Sequence, residues 1–311
     1  MGKIGFVFPG QGSQFVGMGK DLYDHFPEAR EVFDRADAAL GEALSRLCFE
    51  GPEEKLRLTA NTQPAILTVS VAVFAALAAR GATFDGVAGH SLGEYSAIGA
   101  AGGLGTEDLV RTVRRRGRLM QNAVPVGVGA MAAVLGLPRN LVEDVCAQVS
   151  EPGAIVVAAN FNTPEQTVIA GHAAGVDSAG RVLAQRGAKK LVLLPVSAPF
   201  HSPLMRPARD GLKPVLSALA FRRLSVPLYN NVDAASVQDQ AAVRSGLDRQ
   251  VDAAVRWVEL IEQMVADGFE TFVEVGPGSV LSSLIRRIAP TATTIQVGSV
   301  NQLEAYFAKK G

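Results

Sequence analysis

Residues Gly89 to Glu94 read GHSLGE, with the apolar pair Val87 and Ala88 entering and the small-residue run Ser96 to Gly103 leaving. A serine on a tight strand-to-helix turn has strained backbone angles and close neighbours on both sides, which accounts for glycine at 89 and 93. Ser91 would project alone from such an elbow into a cleft, where a nucleophile belongs. The competing reading is a glycine-rich turn that only ends a core strand; the strand-then-helix flanks argue against it.

A serine hydroxyl is a poor nucleophile at neutral pH and needs a base, and the chain has four histidines. His90 adjoins Ser91 and is expected to point the other way, while His25 and His172 fall in turn contexts that suit solvated or structural roles. His201 stands in the loop SAPFHSPLM after the apolar run Leu191 to Val196, with Ser202 as an expected cap and Pro203 at the first helical position. Loops at the C-terminal ends of strands carry reactive groups in α/β proteins, which favours His201 as the base over an incidental loop histidine.

Acyl transfer to serine would also need donors for the developing oxyanion, worth about 3–4 kcal/mol each. The elbow offers the N–H of Leu92, and the loop PGQGSQ from Pro9 to Gln14 could bring that of Gln11. Nucleotide readings of this loop fail. The dinucleotide pattern has Phe15 at its last glycine, and a Walker A pattern has Gln14 at its first glycine and Asp21 at its Ser/Thr. Arg111, Arg114, Arg115, Arg116 and Arg118 crowd one segment, ordinarily a solvated basic face. Helical periodicity turns at least one of Arg115 and Arg116 inward, where a guanidinium needs an anion such as a substrate carboxylate.

Positioning these groups requires a framework of alternating strands and helices. Ile4 to Phe8 reads as a buried strand stopped by Pro9 and Gly10, Pro27 to Leu40 as an amphipathic helix, and Pro64 to Arg80 as a buried apolar helix. Thr106 to Gln121 reads as an arginine-rich helix capped by Thr106. After a Pro/Gly linker at Val124 to Gly129 comes a self-contained set: strand 130–135, helix 138–149, strands 155–159 and 167–170, helix 173–186, strand 191–194. This β-α-β-β-α-β order is that of a ferredoxin-like unit inserted in an α/β domain, because a strand at 272–275 and a helix at 279–289 resume afterwards. The expected division is 1–125 with 198–311 as the large subdomain and 126–197 as the small one, with the ligand cleft between them.

Composition narrows the class. The 311 residues, 48% hydrophobic, can bury a large core, and 30 basic against 30 acidic residues argue against a general affinity for nucleic acid or anionic membrane. Cys48 and Cys146 have no C-x-x-C spacing, so neither a disulfide framework nor a metal site is expected. The N-terminal apolar run is too short for a signal peptide, and Val69 to Ala79 is too short to span a bilayer. The expectation is a soluble cytoplasmic protein, monomeric because no coiled-coil heptad appears.

The chain resembles the malonyl-CoA:acyl carrier protein transacylases of type II fatty acid synthesis over nearly its whole length. The resemblance rests on six motifs in order: FPGQGSQ from Phe8, GHSLGE around Ser91, RGRLMQ from Arg116, NFNTPEQTVIAG from Asn160, PFHSPLM around His201 and VEVGPG from Val273. It implies an α/β-hydrolase-like large subdomain with a ferredoxin-like insert, and ping-pong transfer through a malonyl ester on Ser91, with no cofactor. The donor would be malonyl-CoA and the acceptor the phosphopantetheine thiol of acyl carrier protein. By the same resemblance His201 is the base, oriented by the backbone carbonyl of Gln250 rather than by a carboxylate, and Gln11 and Leu92 form the oxyanion hole. Arg116 would pair with the malonyl carboxylate, Phe200 would disfavour an extra methyl, and Gln63 and Asn160 would line the substrate site. The acidic carrier would meet basic surface, for which Lys189, Lys190, Arg286 and Arg287 are candidates. A trans-acting polyketide acyltransferase shares every motif; a serine thioesterase would not need a buried Arg116, and a non-catalytic docking subunit would not need Ser91.

Overall fold

The computed structural model describes residues 2–196 and 198–308, so Ser197, at the expected end of the small subdomain, lies outside the described residues. Among the described residues ten strands form two sheets. The larger has the order β10-β9-β1-β2-β7-β8, built from β1 (Lys3–Phe8), β2 (Gly86–Gly89), β7 (Leu228–Tyr229), β8 (Ser236–Val237), β9 (Phe269–Val275) and β10 (Thr293–Val297). It is parallel except for β8, which runs antiparallel to β7. Central β1 is fully buried from Gly5 to Phe8, consistent with helices covering both faces of a parallel sheet. The register sets Phe8 beside Gly89, so the loop after β1 and the turn after β2 leave the sheet at the same level.

The smaller sheet has the order β4-β5-β3-β6, from β3 (Gly129–Leu135), β4 (Val156–Thr163), β5 (Gln166–His172) and β6 (Lys190–Leu193), all antiparallel. With its helices Arg139–Val149 and Ala173–Gln185 it is the expected β-α-β-β-α-β unit in ferredoxin-like order. Alternation along β3 explains its apolar run. Ala132 and Val134 pack with the unit's own helices, whereas Met131 and Ala133 face the main core of the molecule. Strand β4 extends four residues past its expected end, and Val255 of the large unit exchanges backbone hydrogen bonds with it, through Val255 N to Ala159 O (2.9 Å) and Phe161 N to Val255 O (2.9 Å).

Two helix expectations need correction. The buried helix runs Thr59–Ala79, so Pro64 lies inside it rather than at its start. Proline leaves the carbonyl four residues earlier without its helical donor, and Ala60 O instead accepts from Arg114 Nη1 at 2.6 Å. That explains why Arg114 is buried as well as Arg116; it is also paired with Glu42. In the helix Thr106–Gln121 the cap position is Gly105, and no side chain caps it.

Candidate active site

Ser91 sits between β2 and the helix Gly93–Ala100 with φ 52°, a left-handed value that costs a non-glycine residue about 1–3 kcal/mol. Close packing enforces the turn. A Cβ at Gly93 would stand 2.0 Å from Phe8 O, and one at Gly89 would stand 2.0 Å from the Gly93 carbonyl carbon. Glycine at both positions is therefore a steric requirement of bringing β1 against the elbow.

The strain is held from below by side chains whose part sequence reasoning missed. Asn231, in the turn after β7, accepts from Ser91 N at 2.7 Å and donates through Nδ2 to Gly89 O at 2.7 Å, bridging the two sides of the elbow. Its own N–H donates to Glu94 Oε2 at 2.9 Å. The Gln250 side chain completes the support, donating from Nε2 to Ser91 O (3.0 Å) and Glu94 Oε2 (3.0 Å). Pairing of β2 with β7 brings Asn231 here, and no local pattern announces that pairing.

His201 Nε2 lies 2.8 Å from Ser91 Oγ, and His201 Nδ1 lies 2.8 Å from Gln250 O. Gln250 ends the helix Gln240–Gln250, where carbonyls lack intrahelical partners and the dipole is negative, so the helix end occupies the place of a triad carboxylate. This arrangement fixes Nδ1 as the protonated nitrogen and leaves Nε2 to accept the serine proton. Burial, and then the nearby Arg116 charge, push the His201 pKa down to about 3, which keeps the ring neutral. His201 itself has φ 60°. Ser202 does not cap the following segment; its Oγ donates to Pro199 O at 2.7 Å, and a short 3-10 turn, Pro203–Met205, precedes the helix Arg206–Ala218.

Of the two candidate arginines, Arg116 turns inward, 1% exposed, and Arg115 outward. Its Nη1 donates to Gln63 Oε1 (2.8 Å), while Nη2 donates to Gln250 Oε1 (2.9 Å) and Ser91 Oγ (3.1 Å). No carboxylate bonds to it among the described residues. Ser91, His201 and Arg116 line a cavity of about 160 Å³ together with Gln11, Gln63, Leu92, Asn160 and Phe200, which brings eight of the nine expected site residues to one surface. The ninth, Gln250, supports it from beneath. The backbone N–H groups of Gln11 and Leu92 make no hydrogen bond among the described residues, so both are available as donors. Asn160 sits on β4, 6% exposed, beside the Val255 bridge.

His90 differs from expectation in part. It lines the cavity with Ser91 rather than pointing away from it, with Nε2 2.9 Å from Asn162 Oδ1 and its ring 5.5 Å from that of Trp257, and burial lowers its pKa. Lys189, Lys190, Arg286 and Arg287 do not line the cavity. Lys189 pairs with Glu165 at 3.6 Å, and Arg286 donates to Thr294 and Ser283.

Comparison with known proteins agrees with this geometry. Residues 5–301 match the acyl transferase domain family. The chain is 47% identical over 304 residues to the malonyl CoA-acyl carrier protein transacylase of Bacillus subtilis, covering 98% of this chain and 96% of that protein. It is 44% identical over 306 residues to the one from Escherichia coli K12, covering 98% and 99%. The acyl-carrier-protein S-malonyltransferase structure from Bartonella henselae superposes with a TM-score of 0.96 at 46% identity, covering 99% of each chain. A malonyl-transacylase solved with a holo type II polyketide acyl carrier protein superposes equally well, 0.96 at 41% identity, again over 99% of each chain. The chain belongs to the malonyl-CoA:acyl carrier protein transacylase family.

Proposed function

We propose that the chain moves a malonyl group from malonyl-CoA to the phosphopantetheine thiol of an acyl carrier protein, through an ester on Ser91, in fatty acid synthesis. The observation that carries this is the placing of Ser91 Oγ between His201 Nε2 and the fork of a fully buried Arg116 that has no carboxylate of its own. A buried cation without a bonded anion is costly, and a malonyl carboxylate supplies one.

In the first half-reaction neutral His201 Nε2 takes the Ser91 proton as Oγ attacks the thioester carbonyl. The carbonyl oxygen becomes an oxyanion between the N–H groups of Gln11 and Leu92, at the positive end of the helix Gly93–Ala100. CoA leaves as its thiol with the proton from His201. In the second half the carrier thiol passes its proton to Nε2 and attacks the ester, and the proton returns to Ser91 Oγ. The imidazolium formed in each half is stabilised by Gln250 O at the helix C-terminus and opposed by Arg116. A malonyl carboxylate on Arg116 cancels that opposition, so the substrate's charge improves the base as well as the binding. Gln63 and Gln250 hold the guanidinium fork from behind, and Phe200, 9% exposed, narrows the cavity against a branched acyl chain.

On this reading malonyl-CoA and acyl carrier protein are the partners of a cytoplasmic monomer. Even charge balance supports the absence of nucleic-acid and membrane roles, and the one helix among the described residues that is apolar enough for a bilayer, Thr59–Ala79, is 78% buried over its most apolar window. The solved complex of a relative with a polyketide carrier favours a second reading, service to a polyketide carrier with the same chemistry. Intact-protein mass spectrometry after brief mixing with malonyl-CoA tests the first: a malonyl adduct absent from Ser91→Ala and cleared by holo acyl carrier protein is expected. An adduct elsewhere, or one that decays equally fast in buffer, would overturn it. Relative clearance by fatty acid and polyketide carriers separates the two pathways.

A further inference from the structure

The reaction as derived does not use Glu94, yet this carboxyl is 1% exposed, directly beneath the nucleophile. Its Oε2 accepts from Gln250 Nε2 at 3.0 Å, and the other end of that same amide, Oε1, accepts from Arg116 Nη2 at 2.9 Å. One side-chain amide therefore joins the buried cation to the buried carboxyl, its negative end toward the guanidinium and its positive end toward Glu94. Such a chain polarises cooperatively in a dry environment.

We propose that Glu94 is the counter-charge of Arg116, relayed through the Gln250 amide, and that loading a carboxylate-bearing acyl group draws one proton from solvent onto Glu94. The inference rests on the acyl-transfer reading of the site. Charge bookkeeping is its physical basis. Before loading, ionised Glu94 and Arg116 sum to zero. After loading, the acyl carboxylate bonds Arg116 directly and cancels the potential that had favoured ionised Glu94. A second buried anion then remains unless Glu94 is protonated, which restores zero. An acetyl group brings no charge and requires no proton.

The remaining charged groups near Glu94 do not supply this compensation. Asp233, in the turn after β7, opposes ionisation of Glu94 but is itself paired with Arg249 at 2.6 Å. His201, across Ser91, is neutral, and Tyr95 presents its ring to Arg116 at 5.5 Å. Burial raises the Glu94 pKa to about 7 against the pull of Arg116 and its hydrogen bonds, so a change in the Arg116 potential falls where the group responds. Because uptake accompanies binding, malonyl affinity should fall as pH rises above about 7, by at most tenfold per unit, and acetyl affinity should not.

The test is calorimetric titration of Ser91→Ala with malonyl-CoA and with acetyl-CoA near about pH 8, in two buffers of different ionisation heat. Uptake approaching one proton per malonyl-CoA and none per acetyl-CoA is expected, and adding Glu94→Gln should abolish uptake and flatten the pH dependence. Glutamine keeps an oxygen acceptor for Asn231 N and Gln250 Nε2. Malonyl-CoA binding without uptake, or uptake that persists in Glu94→Gln, overturns this inference and leaves acyl transfer standing. Failure to bind malonyl-CoA at all would overturn both. Should Glu94→Gln not fold, a protonated-carboxyl band in the infrared difference spectrum of malonyl loading, absent with acetyl, carries the decision instead.

Discussion

Arg116 is held by two amide oxygens and a hydroxyl, all neutral acceptors, which keep the fork in place without satisfying its charge. Replacing it with alanine removes the partner of the acyl carboxylate but leaves Ser91 and His201 in contact. Malonyl transfer by Arg116→Ala should fall by about 10²–10⁴-fold in kcat/KM, at the scale of about 3–5 kcal/mol for breaking a buried pair, while acetyl transfer holds or rises. Parallel loss for both acyl groups would give Arg116 a structural role. His201 supports a second prediction at this scale. A base with an ordinary histidine pKa loses its neutral form as pH falls through about 6.5. His201, held at about 3, keeps it, so kcat/KM for malonyl-CoA should stay flat from about pH 7 to about pH 5. The same depression opposes folding in acid. Between about 3 and 6.5 the unfolded chain binds a proton that the folded one refuses, so this contribution to stability declines as pH drops.

At the scale of the element, the strand-turn-helix elbow works because β1 presses against it. Gly93→Ala would drive a methyl into Phe8 O, against backbone atoms of Phe8 and Pro9 with no flexible atom to yield. It should cost at least about 3 kcal/mol, seen as a lowered midpoint in thermal unfolding, and abolish the malonyl-enzyme adduct. A stable, acylated Gly93→Ala protein would contradict the packing described. The elbow was legible in sequence because its glycines and flanks are local, as was the inward turn of one arginine, which follows from helical periodicity alone. Asn231, Glu94 and the Gln250 side chain were not legible as a support. They meet through the pairing of β2 with β7 and the approach of the helix Gln240–Gln250 to the elbow, and a two-residue strand such as β7 carries no alternation to read. The start of the helix at Thr59 was hidden for a related reason. Pro64 reads as a first-turn residue until a distant arginine is found on the carbonyl it leaves free. The orientation of His90 is not local either, because its neighbour Trp257, at the start of another helix, arrives from 167 positions along the chain and packs beside it.

Across the whole molecule, the malonyl ester has to outlast exposure to water until the carrier thiol arrives, so the two units must keep the cleft narrow. Beside the packing of Met131 and Ala133 into the main core and the contact of His90 with Asn162, two further ties join them here. One is electrostatic: Arg139 of the small unit, stacked on Phe161 of its own unit at 3.6 Å from ring centroid to guanidinium, pairs with Glu259 of the helix Trp257–Ala266. Both ion-pair members are about a quarter to a third exposed and Glu259 is shared with Arg256, so solvent and competition weaken the pair. The other tie is backbone. Val255 is fully buried and bonds both ways with β4 beside Asn160, which lines the cleft. Glu259→Ala should therefore cost no more than about 1 kcal/mol and leave the ratio of ester hydrolysis to transfer unchanged. Val255→Pro removes the donor to Ala159 O and should cost about 3 kcal/mol. By freeing the end of β4 it should also raise hydrolysis relative to transfer, measured as decay of the malonyl-enzyme with and without holo carrier. If Glu259→Ala opens the ester to water and Val255→Pro does not, the cleft is held by charge, and the backbone bridge is incidental to it.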